Sequence, residues 1–265
     1  MPDFEFYIYM HYFDSNSFAD IRNEILHISK SIKIHDPTNT NLSNIYLRNR
    51  NENILYQIKL INEYPYSKNN EWLKFQFLTT LYSFDTKSDA YKTNLTIFKS
   101  KRPKIDSRQK NELKEKAVSK SLKSTIEKIS FLASNTNVLM LNENHFIPNN
   151  RILAQALLDS LKSKGYKFLA LEAIHDTLIN RRKFPLKISG LYSKEPFFGN
   201  FIREALNKDF EIIGYDSSGK DREIKQAQNI NEIIKNNENA KIFVYAGFSH
   251  INEKTQRIKR MAEYL

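Results

Sequence analysis

The chain contains no cysteine, which excludes disulfides, thiolate nucleophiles and cysteine-ligated zinc, though it leaves the compartment open. Glycine is scarce as well: there are six in 265 residues, all lying after residue 164. A first half without glycine suits packed helices, whereas glycine at intervals suits turns between strands and helices. No apolar run approaches the ~18 residues of a membrane helix. The opening Met1-Pro-Asp-Phe-Glu-Phe-Tyr lacks the basic and apolar regions of a signal peptide. The chain is therefore expected to be cytoplasmic, or a mature or excised piece of an exported protein.

What is present is a globular composition, 40% apolar and 27% charged, with a net charge of +11. The charge is unevenly spread. Between Lys99 and Lys123 ten Lys and Arg face three Asp and Glu. An excess confined to one segment, without interleaved aromatics, reads as a solvated helix or linker, so no nucleic-acid partner is expected. The expected division is a helical region over 1–98, a basic linker or helix over 99–132, and an α/β domain over 133–265.

In the first region Phe4, Phe6, Ile8 and Met10 alternate like a strand, while Phe4, Ile8 and Tyr12 also fit a helix. Ser17 and Asp20 resemble a capping box, and Ile21, Ile25, Ile28 and Ile32 follow at helical spacing until Asp36-Pro37. Ile54, Ile58 and Ile61 predict a helix ending before Pro65, and Trp72, Phe75, Leu78 and Tyr82 predict another. Their aromatics, Trp72 included, read as core between helices, and the spacing hints at a helical-repeat arm. A long helix is expected from Leu113 to Leu132.

The second half is regular. Val138 to Leu141 are four consecutive apolar residues, read as a short strand buried on both faces. A helix follows from about Asn150 to Lys164, carried by Ile152, Ala156, Leu157 and Leu161 and ending near Gly165. Then come a strand at Phe168 to Glu172, a loop-rich insertion, a helix at Phe198 to Leu206 and a strand at Glu211 to Tyr215. A helix at Arg222 to Lys235, a strand at Lys241 to Ala246 and a closing helix at Glu253 to Leu265 complete the chain. This alternation predicts right-handed crossovers and a mostly parallel sheet covered by helices, an α/β fold preceded by an all-α region.

In such a sheet the residues just past the strand ends share one rim. Here they are Glu143, His145, Glu172, Asp216 and His250. Histidine exchanges protons near neutral pH, and a neighbouring carboxylate can orient its ring. The same set could instead hold a divalent metal, with His145, His250 and Glu172 as ligands. Asp216 fits a capping role equally well, and His175, three residues past Glu172, has no positional support. Arg222, Gln226 and Asn229 share one helical face. That pattern usually means a solvated stripe, yet at the start of a rim helix Arg222 could meet an anionic substrate or transition state.

Asn-Glu-Asn-His at 142–145, Leu-Glu at 171–172, Arg-Glu at 222–223, Gln-Asn at 228–229 and Tyr-Ala-Gly-Phe-Ser-His at 245–250 resemble the superfamily of erythromycin esterase-like, ChaN-like haem-uptake and Tiki/TraB-like proteins. The resemblance covers about residues 137–265. It implies an α/β core in which Glu143 and His145 match the first-strand polar pair, Glu172 the acid after the second strand, and Gly247 with His250 the late glycine-x-x-histidine. Arg222 through Asn229 is similar to a helix of some members. Two departures stand out. Asn142 replaces a glycine and should crowd the turn before Glu143, and the chain ends fifteen residues past His250, where the domain is expected to continue, so a fragment is expected. The family spans ester hydrolysis, metal-dependent proteolysis and haem binding.

The leading expectation is a hydrolase of an ester or amide bond in a small-molecule substrate. Catalysis would fall to His145 as general base, Glu143 or Glu172 as its orienter, His250 as second acid/base or electrostatic partner, and Arg222 facing developing negative charge. Asp216, Asn229 and Glu253 would bind substrate. The alternatives are a haem or small-ligand binder with His250 or Tyr245 as axial ligand, and a degenerate scaffold without catalysis.

Overall fold

The computed structural model describes residues 41–265 apart from 50–51, 66, 68–69, 85–88, 101–105, 109, 112–120 and 254–257. The expected helix over Ile21 to Ile32, the ambiguous segment before it and much of the basic stretch lie outside the described residues. Asn41–Leu265 form one compact unit.

Among the described residues four helices come first: α1 (Leu42–Arg48), α2 (Ile54–Glu63), α3 (Glu71–Ser83) and α4 (Asp89–Ser100). Asn41 and Asn53 start α1 and α2 by accepting a backbone N–H two or three residues on, which satisfies donors a helix start leaves open. Leu42, Tyr46, Ile58, Ile61, Leu78 and Leu81 form the buried core of this layer. Trp72 does not belong to it. The ring is 42% exposed and stacks on Phe98 with centroids 4.5 Å apart, so the expected core role is corrected to a surface one.

The α/β part opens with α5 (Leu122–Ala133), which begins at a Ser121 cap; residues 112–120, where the longer helix was expected to start, are outside the described set. There follow β1 (Val138–Glu143), α6 (Asn149–Ser163), β2 (Phe168–Leu171), α7 (Ile179–Arg182), α8 (Pro196–Asn207), β3 (Glu211–Gly214), α9 (Arg222–Asn236) and β4 (Ile242–Gly247). Gly165, at φ +86°, closes α6 in the left-handed conformation that glycine adopts without strain. The strands form one all-parallel sheet in the order β1-β4-β2-β3. This is an α/β fold.

Side chains that alternate along the strands divide the core into two layers. Leu169, Leu171, Phe243 and Tyr245 meet Leu157 and Leu161 of α6 and Phe201 and Ile202 of α8. Ala170, Val244 and Ala246 meet Ala227 and Ile230 of α9 on the other face.

Three expectations need correction. β1 lies at the sheet edge, so Val138 to Leu141 are only half-buried, not covered on both faces; the doubly buried strands are β2 and β4. The inward stripe of α6 is Arg151, Ala154, Leu157, Leu158 and Leu161, while Ile152 is exposed. The closing helix from Glu253 is absent among the described residues, where the only helix after β4 is a 3-10 turn, Met261–Glu263. That segment has one apolar anchor, Met261, fully buried against the α9 layer, and it is tied down by the Met261 N–H donating to Glu223 at 2.8 Å.

Candidate functional site

The register aligns Glu143 with Gly247 and Leu171 with Tyr245, so β1 and β4 end level, β2 ends two residues earlier, and the residues that follow share one rim. Glu172 is its centre. One carboxylate oxygen accepts the Gly247 N–H at 2.5 Å and lies 3.9 Å from His145 Nε2. The other accepts Arg222 Nη2 at 2.7 Å and lies 3.5 Å from His250 Nε2. Three side chains, those of His145, Arg222 and His250, and one backbone N–H thus lie within 4 Å of one carboxylate. Gly247 makes this approach possible: a methyl group there would stand 2.7 Å from both Glu172 Oε2 and His145 Nε2.

His145 is held on two sides. Its Nδ1 is 2.7 Å from Glu143 Oε1, and its ring stacks on Tyr192 at 4.6 Å and 16°. Burial raises the Glu143 carboxyl, but Arg151 and His145 outweigh it and hold it down at about 2. An ionised carboxylate only accepts, so Nδ1 is the donor in this pair. Glu172 is likewise ionised: burial opposes charge, but His250, His145 and Arg222 hold it well below the usual carboxylate range.

His250 is buried between two acids, with Nδ1 3.0 Å from Glu223 and Nε2 towards Glu172. Burial alone would lower its pKa; the bonds to Glu172 and Glu223 reverse this and raise it above 6.5. Arg222 is anchored by Asp216 through Nε at 2.9 Å and Nη2 at 3.0 Å.

Beneath His145 runs an ion chain that sequence reasoning missed. Arg151, fully buried, donates to Glu143 through Nε at 2.9 Å and to Glu195 through Nη1 at 2.6 Å, and also reaches the His145 carbonyl. Glu195 is fully buried and caps α8 by accepting the N–H groups of Phe197 and Phe198. A signal existed for Arg151: it lies on the apolar stripe of α6, where a lone cation needs a buried partner. Glu195 reads only as a cap before Pro196, and Tyr192 carries no sequence signal.

The other expected residues divide. Asp216 accepts from Arg222, from Gln226 at 2.6 Å and from the Ser217 N–H, so it positions Arg222 and does not cap α9. Gln226 is fully buried, so its helical face is the inner one and not a solvated stripe. Asn229 donates to the Tyr215 carbonyl at 2.9 Å and joins α9 to the end of β3. Glu253 is exposed and outside the hydrogen-bonded cluster, as is His175. Asn142 does not crowd the turn: it pairs with Ala246 inside β1 at an ordinary φ, and its amide donates to the Phe248 carbonyl at 3.3 Å.

The donor set does not fit a metal. Among the described residues no three acidic or histidine side chains are grouped to hold an ion, and both oxygens of Glu172 are already taken by Arg222 and Gly247. Nor does the rim favour a haem. His250 has acids at both nitrogens, and Tyr245 is buried, which pushes its phenol far up from ionisation.

Beside His145 lies a half-open cavity of about 240 Å³, lined by Tyr46, Trp72 and Phe98 from the helical layer and by His145, Tyr192 and Phe248 from the α/β part. Tyr91 of α4 ties the layers together by donating to the Phe146 carbonyl at 2.7 Å. Among the described residues no helix is long and apolar enough to cross a membrane. Comparison of the chain with protein-family models, with curated proteins and with solved structures finds no match.

Proposed function

We propose that the protein is a hydrolase of an ester or amide bond that uses His145 to activate water. The observation that supports this most is the His145 ring itself: its Nδ1 donates to an ionised carboxylate, which in the neutral ring leaves the lone pair on Nε2, and the residue lines a cavity. Nε2 and Glu172 Oε2 are 3.9 Å apart, too far for a direct bond but suited to one water donating to both. Such a water presents its lone pairs to a carbonyl carbon above it.

In this reading Nε2 takes the water proton as the C–O bond forms and returns it to the leaving alkoxide or amine as the tetrahedral intermediate collapses. Glu143 stabilises the imidazolium in between, and Arg151 keeps Glu143 charged and in place. His250 and Arg222 hold Glu172. The resemblance of the rim motifs to the esterase-like superfamily points the same way.

The test is turnover of a panel of small esters. General-base catalysis is worth ~100-fold or more, so His145→Ala should lose at least that, and Glu143→Gln should lower kcat more than it changes KM. An ester turned over equally well by the protein and by its folded His145→Ala variant would end the proposal.

A further inference from the structure

The walls of the cavity in front of His145 restrict what can enter it. They are built largely from rings, and these rings come already stacked. Tyr46 lies on Phe77 with centroids 4.1 Å apart and planes 3° from parallel, Trp72 lies on Phe98, and Tyr192 lies on His145 itself. A further flat ring extends such stacks, whereas a puckered ring cannot.

Charge narrows the choice further. Among the described residues no Lys or Arg lines the cavity, so none of them offers an anion a counter-charge. The one carboxylate in its wall among the described residues, Glu143, has both oxygens engaged by Arg151 and one shared with His145, so an organic cation gains little from it. Two amides remain. The side chains of Gln76 and Asn144 line the same space and could take up a carbonyl or ether oxygen.

Size sets the last limit. An apolar cavity of about 150 Å³ is enough for benzene, and this one measures about 240 Å³. That suits one ring with a short ester or amide substituent.

We propose that this cavity binds an uncharged, planar aryl group, which makes small aryl esters or aryl amides the substrate class of the site. The substrate claim rests on the hydrolase reading above; the binding claim does not, and the test separates them. Trp72 is the only tryptophan in the chain and stands in the cavity wall, so its emission reports occupancy.

Benzyl methyl ether, which cannot be hydrolysed, should give a saturable change in Trp72 emission and bind about tenfold more tightly than the cyclohexylmethyl ether of similar size. The change should vanish in Gln76→Phe, which fills the space at a partly exposed position, and weaken in Phe248→Ala, where the residue is 69% exposed and replaceable without unfolding. Circular dichroism checks that both variants fold. No saturable change, equal affinity for the cyclohexyl compound, or tighter binding of tetramethylammonium would each overturn the proposal. Saturable binding without turnover of phenyl acetate would instead sink the hydrolase reading and leave the aryl site standing.

Discussion

Gly247 matters because it lacks a side chain. The space a methyl group would occupy is filled by the Glu172 carboxylate and the His145 ring, each 2.7 Å from where that carbon would be. Gly247→Ala should therefore push the two groups apart while leaving the sheet paired. Displacements of about 1 Å cost on the order of 100-fold in rate, so ester turnover should fall by that much with little loss of melting temperature. Unchanged turnover would mean that the His145 to Glu172 spacing is irrelevant to catalysis. The pairing of Gly247 with His250 is visible in the sequence, but its reason is not, because the atoms that need the space come from β1 and β2.

At the scale of elements, Arg151 and Glu195 fasten α6 to the start of α8 and both to the end of β1. Both side chains are fully buried, so removing Arg151 leaves Glu143 and Glu195 in the interior without their shared cation. Removing one partner of a buried pair costs about 3–5 kcal/mol. Arg151→Ala should lower the urea midpoint accordingly, whereas a shift under about 1 kcal/mol would show that the chain is replaceable by water or repacking. Most elements of this half were readable from apolar spacing, from Gly165 and from caps, and β1 to β4 fall within a residue or two of expectation. The burial of β1 was not readable. Four apolar residues in a row look alike in a central and an edge strand, and the order β1-β4-β2-β3 decides between them. The end of the chain misled for a related reason: apolar residues after Glu253 suggest a helix, but the backbone around Met261 bonds to Glu223 of α9.

For the molecule as a whole, the rim sets a pH window. Glu143 ionises more readily folded than unfolded, so its contribution to stability is present above pH 4.5 and is lost as pH falls towards about 2; Glu172 acts in the same direction. His250 has the opposite sign: its raised pKa stabilises the fold below 6.5, and this is lost as pH rises through the folded value. Urea midpoints should accordingly be highest between about pH 4.5 and 6.5. In Glu223→Gln the alkaline decline should flatten, because one of the two acids holding the His250 proton is gone; an unaltered decline would show that His250 does not cause it. The sequence by itself determined the α/β class, the parallel sheet and the rim set Glu143, His145, Glu172 and His250, because apolar run length and strand-end position are local properties of a chain. Only the tertiary structure decided which nitrogen of His145 meets Glu143, what holds Glu143 charged, and that Trp72 walls a cavity rather than filling a core. Those depend on pairs such as Arg151 with Glu195, or Trp72 with the rim, that are far apart along the chain and whose meeting is set by how whole elements pack.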